Sequence, residues 1–272
     1  LNPIVINPAK SLCSNGYEFY QIINNTSAVP FNQPYNSLLI PVTRNNIKNL
    51  RYSISSAEST IVKDQIIDEA VFLNNIISIC DKNAALYKST DQDSIKYFVI
   101  KNFTAGLPET PIKIEITIDS LNSYKQKFDI DVIWIHKPKS LLDPEQAIRF
   151  LEIIEPKEVI AELLSKKDYT KTLNQYWKTK DPTPTTTYNE LMNEFYSRID
   201  YCDIKFKPIG NNSGAKTDRG RIYIKYGTPD TIERDSNIDD KVVETWFYKQ
   251  LKRSFIFIDN DGNGKFQLVG NQ

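Results

Sequence analysis

Gly214-Ala-Lys-Thr-Asp-Arg-Gly-Arg-Ile-Tyr-Ile-Lys-Tyr-Gly-Thr-Pro-Asp230 decides how the C-terminal part of this chain is read. Glycines, a proline and two arginines surround an alternating run. From Arg221 to Tyr226 that alternation predicts a β-strand. On this reading Arg219, Arg221, Tyr223 and Lys225 share one face, and Ile222, Ile224 and Tyr226 share the other. Gly214 and Gly220 can supply backbone angles closed to other residues. Asp218 can accept hydrogen bonds from nearby backbone N–H groups, or from Arg219 or Arg221. Two uses stay open for the segment. It is a turn–strand–turn whose charges brace neighbouring loops, or Asp218 and the Arg/Tyr face form a site for a partner or ligand.

Downstream the pattern remains β. Residues 242–248 are rich in strand formers, and residues 254–258 and 265–269 read as a hairpin around Asp259-Asn-Asp-Gly-Asn-Gly264. Upstream, over residues 139–206, the period is helical. Asp143 caps a helix with Pro144 at its first position and Gln146 completing the box. Ala147, Ile148, Leu151 and Ile154 form its face. Pro156 ends that helix and opens a second, where Val159, Ile160, Leu163 and Leu164 recur. Leu173, Tyr176 and Trp177 mark a third. Thr187 with Glu190 makes another capping box, after which Leu191, Phe195, Ile199 and Cys202 stack along one face. Cys202 is therefore a small core residue.

Residues 1–138 read as strands punctuated by Asn, Pro and Ser. Ile112, Ile114, Ile116 and Ile118 alternate strictly, and Phe128, Ile130 and Val132 follow the same period. The run from Ile66 to Ile79 is compatible with helix or strand. Several short strands of this kind predict an antiparallel β-sandwich. The expected fold is thus multidomain and β-rich α+β. It comprises a sandwich of immunoglobulin-like architecture over 1–138, a helical connector over 139–206, and a small antiparallel β-meander packed on helices over 207–272.

Composition narrows the function classes. Lys plus Arg and Asp plus Glu both number 34 in 272 residues, for a net charge of +0. A protein whose main task is gripping nucleic acid needs a basic excess or face, so none is expected as partner. No apolar run reaches the roughly 18 residues that span a bilayer. The chain begins at Leu1, which fits a removed leader. His136 is the only histidine, which leaves no multi-histidine metal site and little for Ser/His or Cys/His catalysis. Cys13 and Cys80 can pair in an oxidising compartment or stay as free thiols. Asp259, Asp261 and Asn263, with Gly264 sixth, match the first half of a calcium loop, but the twelfth position is Gly270 rather than Glu. An Asn/Gly hairpin turn is the competing reading.

The C-terminal third resembles the GWxTD domain family, found in exported proteins of Bacteroidota and related bacteria. Trp177 with Asp181-Pro-Thr-Pro184, Asn189-Glu190, Arg198, Thr217-Asp-Arg-Gly-Arg-Ile-Tyr-Ile224, Tyr226-Gly-Thr-Pro-Asp230, and Trp246 with Tyr248 carry the resemblance, over about residues 171–269. The tryptophan of the family motif is Ala215 here. The resemblance implies export and a helical-plus-β build, often behind a β domain, and it implies no reaction. The expectation is a non-enzymatic accessory or scaffold protein with a protein partner in an envelope or surface assembly, in the periplasm or at the cell surface. The alternative is a carbohydrate-binding module or an enzyme using Asp218, Arg219 and Arg221.

Overall fold

The computed structural model describes residues 2–12, 18–24, 28–33, 35–43, 46–74, 77–80, 82–87, 94–118, 124–210, 213–236 and 241–271. The chain divides into two compact units, Leu1–Ile135 and His136–Gln272. The helical segment and the last sheet both belong to the second unit.

Unit 1 is built of strands β1 (Ile4–Leu12), β2 (Glu18–Asn24), β3 (Ala28–Pro30), β4 (Ser37–Val42), β5 (Leu50–Ser56), β6 (Thr60–Ile67), β7 (Ala70–Leu73), β8 (Ser78–Cys80), β9 (Asn83–Tyr87), β10 (Ile95–Ile100), β11 (Ile112–Ile118) and β12 (Tyr124–Ile133). They form a 7-stranded sheet, in the order β7-β10-β4-β1-β2-β9-β8, and a 5-stranded sheet, in the order β3-β12-β11-β5-β6. Among the described residues only the β3–β12 pairing is parallel. The ambiguous run from Ile66 to Ile79 resolves as strand, since it supplies the end of β6, all of β7 and part of β8.

Alternation in β11 works as its sequence predicts. Ile112, Ile114 and Ile116 are buried, while Lys113 faces Asp129 across the β11–β12 pair. Strand β4 differs, because both of its faces are covered: Leu38 and Ile40 point one way and Leu39 the other, and all three are buried. Leu39 belongs to a cluster with Ile6, Ile22, Leu73, Leu86 and Tyr97. The 7-stranded sheet curls around this cluster. Beyond the end of β7, Asn74 N donates to Tyr87 O of β9 at 2.9 Å, and Tyr87 N donates to Asn74 Oδ1 at 2.7 Å. Strands far apart in sheet order thereby meet.

Unit 2 opens with a short 3-10 turn at Lys139–Leu141, whose first N–H groups donate to the Asp200 carboxylate. Helices α1 (Pro144–Phe150), α2 (Lys157–Leu164), α3 (Tyr169–Lys178), α4 (Glu190–Lys205) and α5 (Asp218–Tyr226) follow. Strands β13 (Thr231–Ser236), β14 (Val242–Tyr248), β15 (Arg253–Asp259) and β16 (Phe266–Asn271) then form an antiparallel sheet in sequence order. Asp143 caps α1 through Gln146 N, with Pro144 at the first position, as its box predicts. The cap of α4 is Asn189, whose side chain accepts from Met192 N, rather than Thr187. The helical packing centres on Trp177. Its Nε1 donates to Tyr196 Oη at 3.3 Å, and that hydroxyl donates to Ala147 O at 2.9 Å. Leu191 and Ile154, expected on apolar faces, are exposed, whereas Phe195, Ile199 and Cys202 are buried.

The largest departure is at residues 221–226. The expected strand is part of helix α5. Caps decide against the alternation: Thr217 accepts from Gly220 N at one end, and Gly227, with φ of 80°, closes the other.

Replacing fully buried Ile114 by Ala should cost about 2–5 kcal/mol through lost burial and a residual cavity. Urea denaturation followed by unit 1 probes should show it. Ile133→Ala, at an exposed position, should shift the same transition far less.

Candidate functional site

Two glycines permit tight packing where α5 starts beside α4. A Cβ on Gly214 would overlap Cys202 O, and one on Gly220 would overlap Gly214 O. These glycines are required for close approach rather than for unusual angles. Cys202, fully buried, lies at the crossing with Sγ 3.8 Å from Gly220 O. Thr217 then starts the helix. Its Oγ1 donates to Gly214 O at 2.6 Å and accepts from Gly220 N at 3.1 Å. Asp203 Oδ1 accepts from Ala215 N at 2.9 Å and from Ser213 Oγ at 2.8 Å, so α4 holds the entry to α5 directly. Ala215 itself is fully buried.

The helical twist separates the residues that a strand would have put on one face. Asp218 stands in the first turn, where a carboxylate suits the helix dipole. Its Oδ2 accepts from Leu268 N at 2.8 Å, which ties α5 to β16. Arg219 points inward. Arg221 and Lys225, four apart, point to solvent. Tyr223 is half-buried, stacks on Tyr201 with ring centroids 4.6 Å apart, and shares a 3.0 Å hydrogen bond with Thr228 Oγ1. Arg221 Nε donates to Lys216 O at 3.4 Å.

Arg219 organises a buried charge cluster. Its Nη1 donates to both oxygens of Glu244, at 3.3 and 3.2 Å, and its Nη2 donates to Gly264 O at 3.1 Å. The guanidinium lies 3.8 Å from the Phe266 ring centroid and 5.2 Å from that of Phe206. Glu244 is only 1% exposed. It also accepts from Arg234 Nε at 2.8 Å and from Trp246 Nε1 at 3.1 Å. Burial pulls the Arg219 pKa below its ordinary value, and the charge of Glu244 opposes that pull. Asp259 adds a further negative charge near the guanidinium. Arg219 Nε and Asp259 Oδ1 are buried without a hydrogen-bond partner among the described residues.

The C-terminal end of the segment is similarly engaged. Arg198 Nη1 donates to Ile224 O at 2.9 Å, and its guanidinium fills the space beside Gly227. Tyr248 Oη donates to Gly227 O at 2.9 Å. Asp230 Oδ2 accepts from Lys249 N at 2.6 Å. Glycines, caps, Asp218, Arg219 and Asp230 thus account for the density of the segment by holding helix, helix and sheet together.

The loop from Asp259 to Gly264 is a hairpin connection with Gly262 and Gly264 at positive φ. Asp259 Oδ2 accepts from Gly264 N at 2.8 Å, and Asn263 Oδ1 accepts from Lys265 N at 2.9 Å. Asp261 is exposed. Asp259 Oδ2 and Asn263 Oδ1 of the calcium-like pattern therefore serve the loop's own N–H groups. No group of three or more His, Cys, Asp or Glu that could hold a metal ion occurs among the described residues. Cys80 is buried and disulfide-bonded. Cys13, its expected partner, lies outside the described residues. His136 is exposed.

Glu244, Asp203 and Phe266 were not among the residues singled out from sequence. For Glu244 one signal existed. It shares strand parity with Trp246 and Tyr248, so an acid sat on a face otherwise made for burial.

A family model for the GWxTD domain matches residues 118–270, more than half of the chain, and the chain belongs to the GWxTD domain family. The match begins well before the stretch that carries the resemblance in sequence, and takes in β12 and helices α1–α3. Comparison with curated proteins and with solved structures gave no match. Among the described residues no helix is long and apolar enough to cross a membrane.

Glu244→Ala should destabilise unit 2 by about 3–5 kcal/mol, because it strands a buried guanidinium. The double variant Arg219→Met with Glu244→Met should recover part of that loss in chemical denaturation, since no guanidinium is left stranded, while the buried Asp259 carboxylate loses its neighbouring cation. A second measurement concerns Cys202. Burial, chiefly, and the neighbouring Asp203 raise the pKa of its thiol well above the ordinary range. The native protein should therefore leave Cys202 unlabelled by a thiol reagent at pH 8, and labelling should appear only with unfolding.

Proposed function

We propose that this chain is a non-enzymatic exported accessory or scaffold protein that makes protein–protein contacts in a cell-envelope or surface assembly. One observation carries the reading. The sheet of unit 2 presents two apolar faces. Its inner face buries Trp246, Tyr248, Phe255, Phe257 and Phe266 against the helices. Its outer face carries Val243, Thr245 and Phe247 on β14 beside Ile256 and Ile258 on β15, all half-exposed. Val243 pairs with Ile258 and Thr245 with Ile256, so these side chains form one contiguous patch. Glu233 and Asp235 of β13 stand at its border, opposite Thr245 and Val243. An apolar centre with a charged rim is the anatomy of a contact surface.

The disulfide-bonded Cys80 supports an oxidising compartment, hence export, as the family resemblance implies. We read unit 1 as a sandwich of immunoglobulin-like architecture, a reading supported by the alternating buried positions of β11 and by the doubly buried β4. Asp218 and Arg219, the groups a carbohydrate or catalytic site would use, are bonded to Leu268 N, Glu244 and Gly264 O, which favours the contact role.

The test is affinity capture from envelope extracts with the full chain as bait. Phe247→Glu and Ile256→Lys should leave the far-UV spectrum unchanged and weaken retention of the wild-type partner at least about 30-fold, the loss expected at a contact hot spot. Equal retention by wild type and both variants would overturn the assignment of this face.

A further inference from the structure

The curled sheet of unit 1 encloses an interior, and that interior is not filled to its end. Ile22, Leu73, Leu86 and Tyr97 pack its deep part. The β7–β9 meeting at Asn74 and Tyr87 closes the wall there. At the opposite end, where β4 and β7 begin and β10 finishes, a pocket of about 190 Å³ opens. Ile6, Leu39, Val71 and Val99 line it. The register places them in one neighbourhood: Val99 stands opposite Leu39, and Tyr97 opposite Val71. Small barrels and their mouths are where proteins hold single small ligands.

The polar groups of the pocket converge on one side. Ser37 lines it at only 2% exposure, on the same face of β4 as Leu39. Lys101 and Asn102 stand at the rim, with Glu69 beside them. Lys101 Nζ lies 2.8 Å from Glu69 Oε2, and both side chains are largely solvent-exposed. Such a pair contributes at most about 1 kcal/mol, so the ammonium can turn to another anion at little cost. Donors from Ser37, Asn102 and Lys101 outnumber the single carboxylate, which favours a ligand head rich in acceptors.

We propose that this mouth binds a small amphiphile with one anionic end, of which a six-carbon monocarboxylate is the simplest form. The chain lies against Ile6, Leu39, Val71 and Val99. The carboxylate accepts from Ser37 Oγ and Lys101 Nζ. Size agrees, since an apolar cavity of about 150 Å³ is enough for benzene. The site belongs to unit 1 alone and is independent of the contact face on unit 2.

Titration of the full chain with hexanoate, hexanol and hexylamine, followed by two-dimensional amide NMR, tests it. Hexanoate should give saturable shifts in β4, β7 and β10. Hexanol should bind several-fold more weakly, and hexylamine more weakly still. Val71→Phe, which fills the pocket, should abolish hexanoate binding. Lys101→Ala, at an exposed position that folding tolerates, should weaken hexanoate about 10-fold and leave hexanol unchanged. Absence of saturable hexanoate binding, equal binding of hexylamine, or unaltered hexanoate binding by either variant would overturn the assignment.

Discussion

The second unit depends on one buried ion pair. Arg219 leaves helix α5 and meets Glu244 on β14, with Gly264 O of the last hairpin as a further acceptor. Three elements distant in sequence are thereby held by one guanidinium. The aromatic rings of Phe206 and Phe266 flank it and exclude water. In such a setting charges are expensive to strand, so the partners must arrive together. Arg234 reaches Glu244 from β13, and Trp246 donates to it within β14. The carboxylate thus orders the sheet edge as well as the helix. A hydrophobic isostere could match the stability of the pair, but it would not specify which atoms of helix, strand and hairpin belong together.

The same constraint gives the family signature a physical meaning in this chain. Gly214 lets the entry to α5 press on the Cys202 carbonyl of α4, and Gly220 lets the first turn of α5 close on Gly214 O. Thr217 starts the helix at that point, and Asp218 fastens its first turn to β16. From that helix Arg219 reaches Glu244. Ala215 lies in the middle of the set, fully buried, with its N–H held by Asp203. The small side chain at that position is therefore part of the packed crossing and offers no surface to a partner.

On the proposed reading, contact is made not by the signature but by a surface that it supports. The helix faces inward with Arg219, which frees the opposite side of the sheet to carry Phe247, Ile256 and Ile258 outward. On that reading the unit serves as the backing for an apolar face. In unit 1 the curled sheet provides a second open feature, a mouth whose apolar wall meets Ser37 and Lys101.

Much of this was legible in the residues. Period-2 patterns located β11 and β12, strand-former-rich runs and the hairpin reading located β14, β15 and β16, and the Asp143 box located α1. Local rules suffice there because propensity, capping and burial agree. They disagreed at residues 221–226. Arg-Ile-Tyr-Ile-Lys-Tyr alternates like a strand, yet Thr217 and Gly227 carry the two caps of a helix of just the observed length. Giving the caps more weight than the alternation would have found α5. Strand β13 was missed because all of its residues are exposed, so no burial pattern marked it. The amino-acid sequence by itself determined the β-to-helix-to-β order, the family and the dense signature. Only the tertiary structure decided that Arg219 turns inward to Glu244 while Arg221 turns out. That choice rests on a contact between residues far apart in the chain, and desolvation makes such a contact decisive only once both are buried.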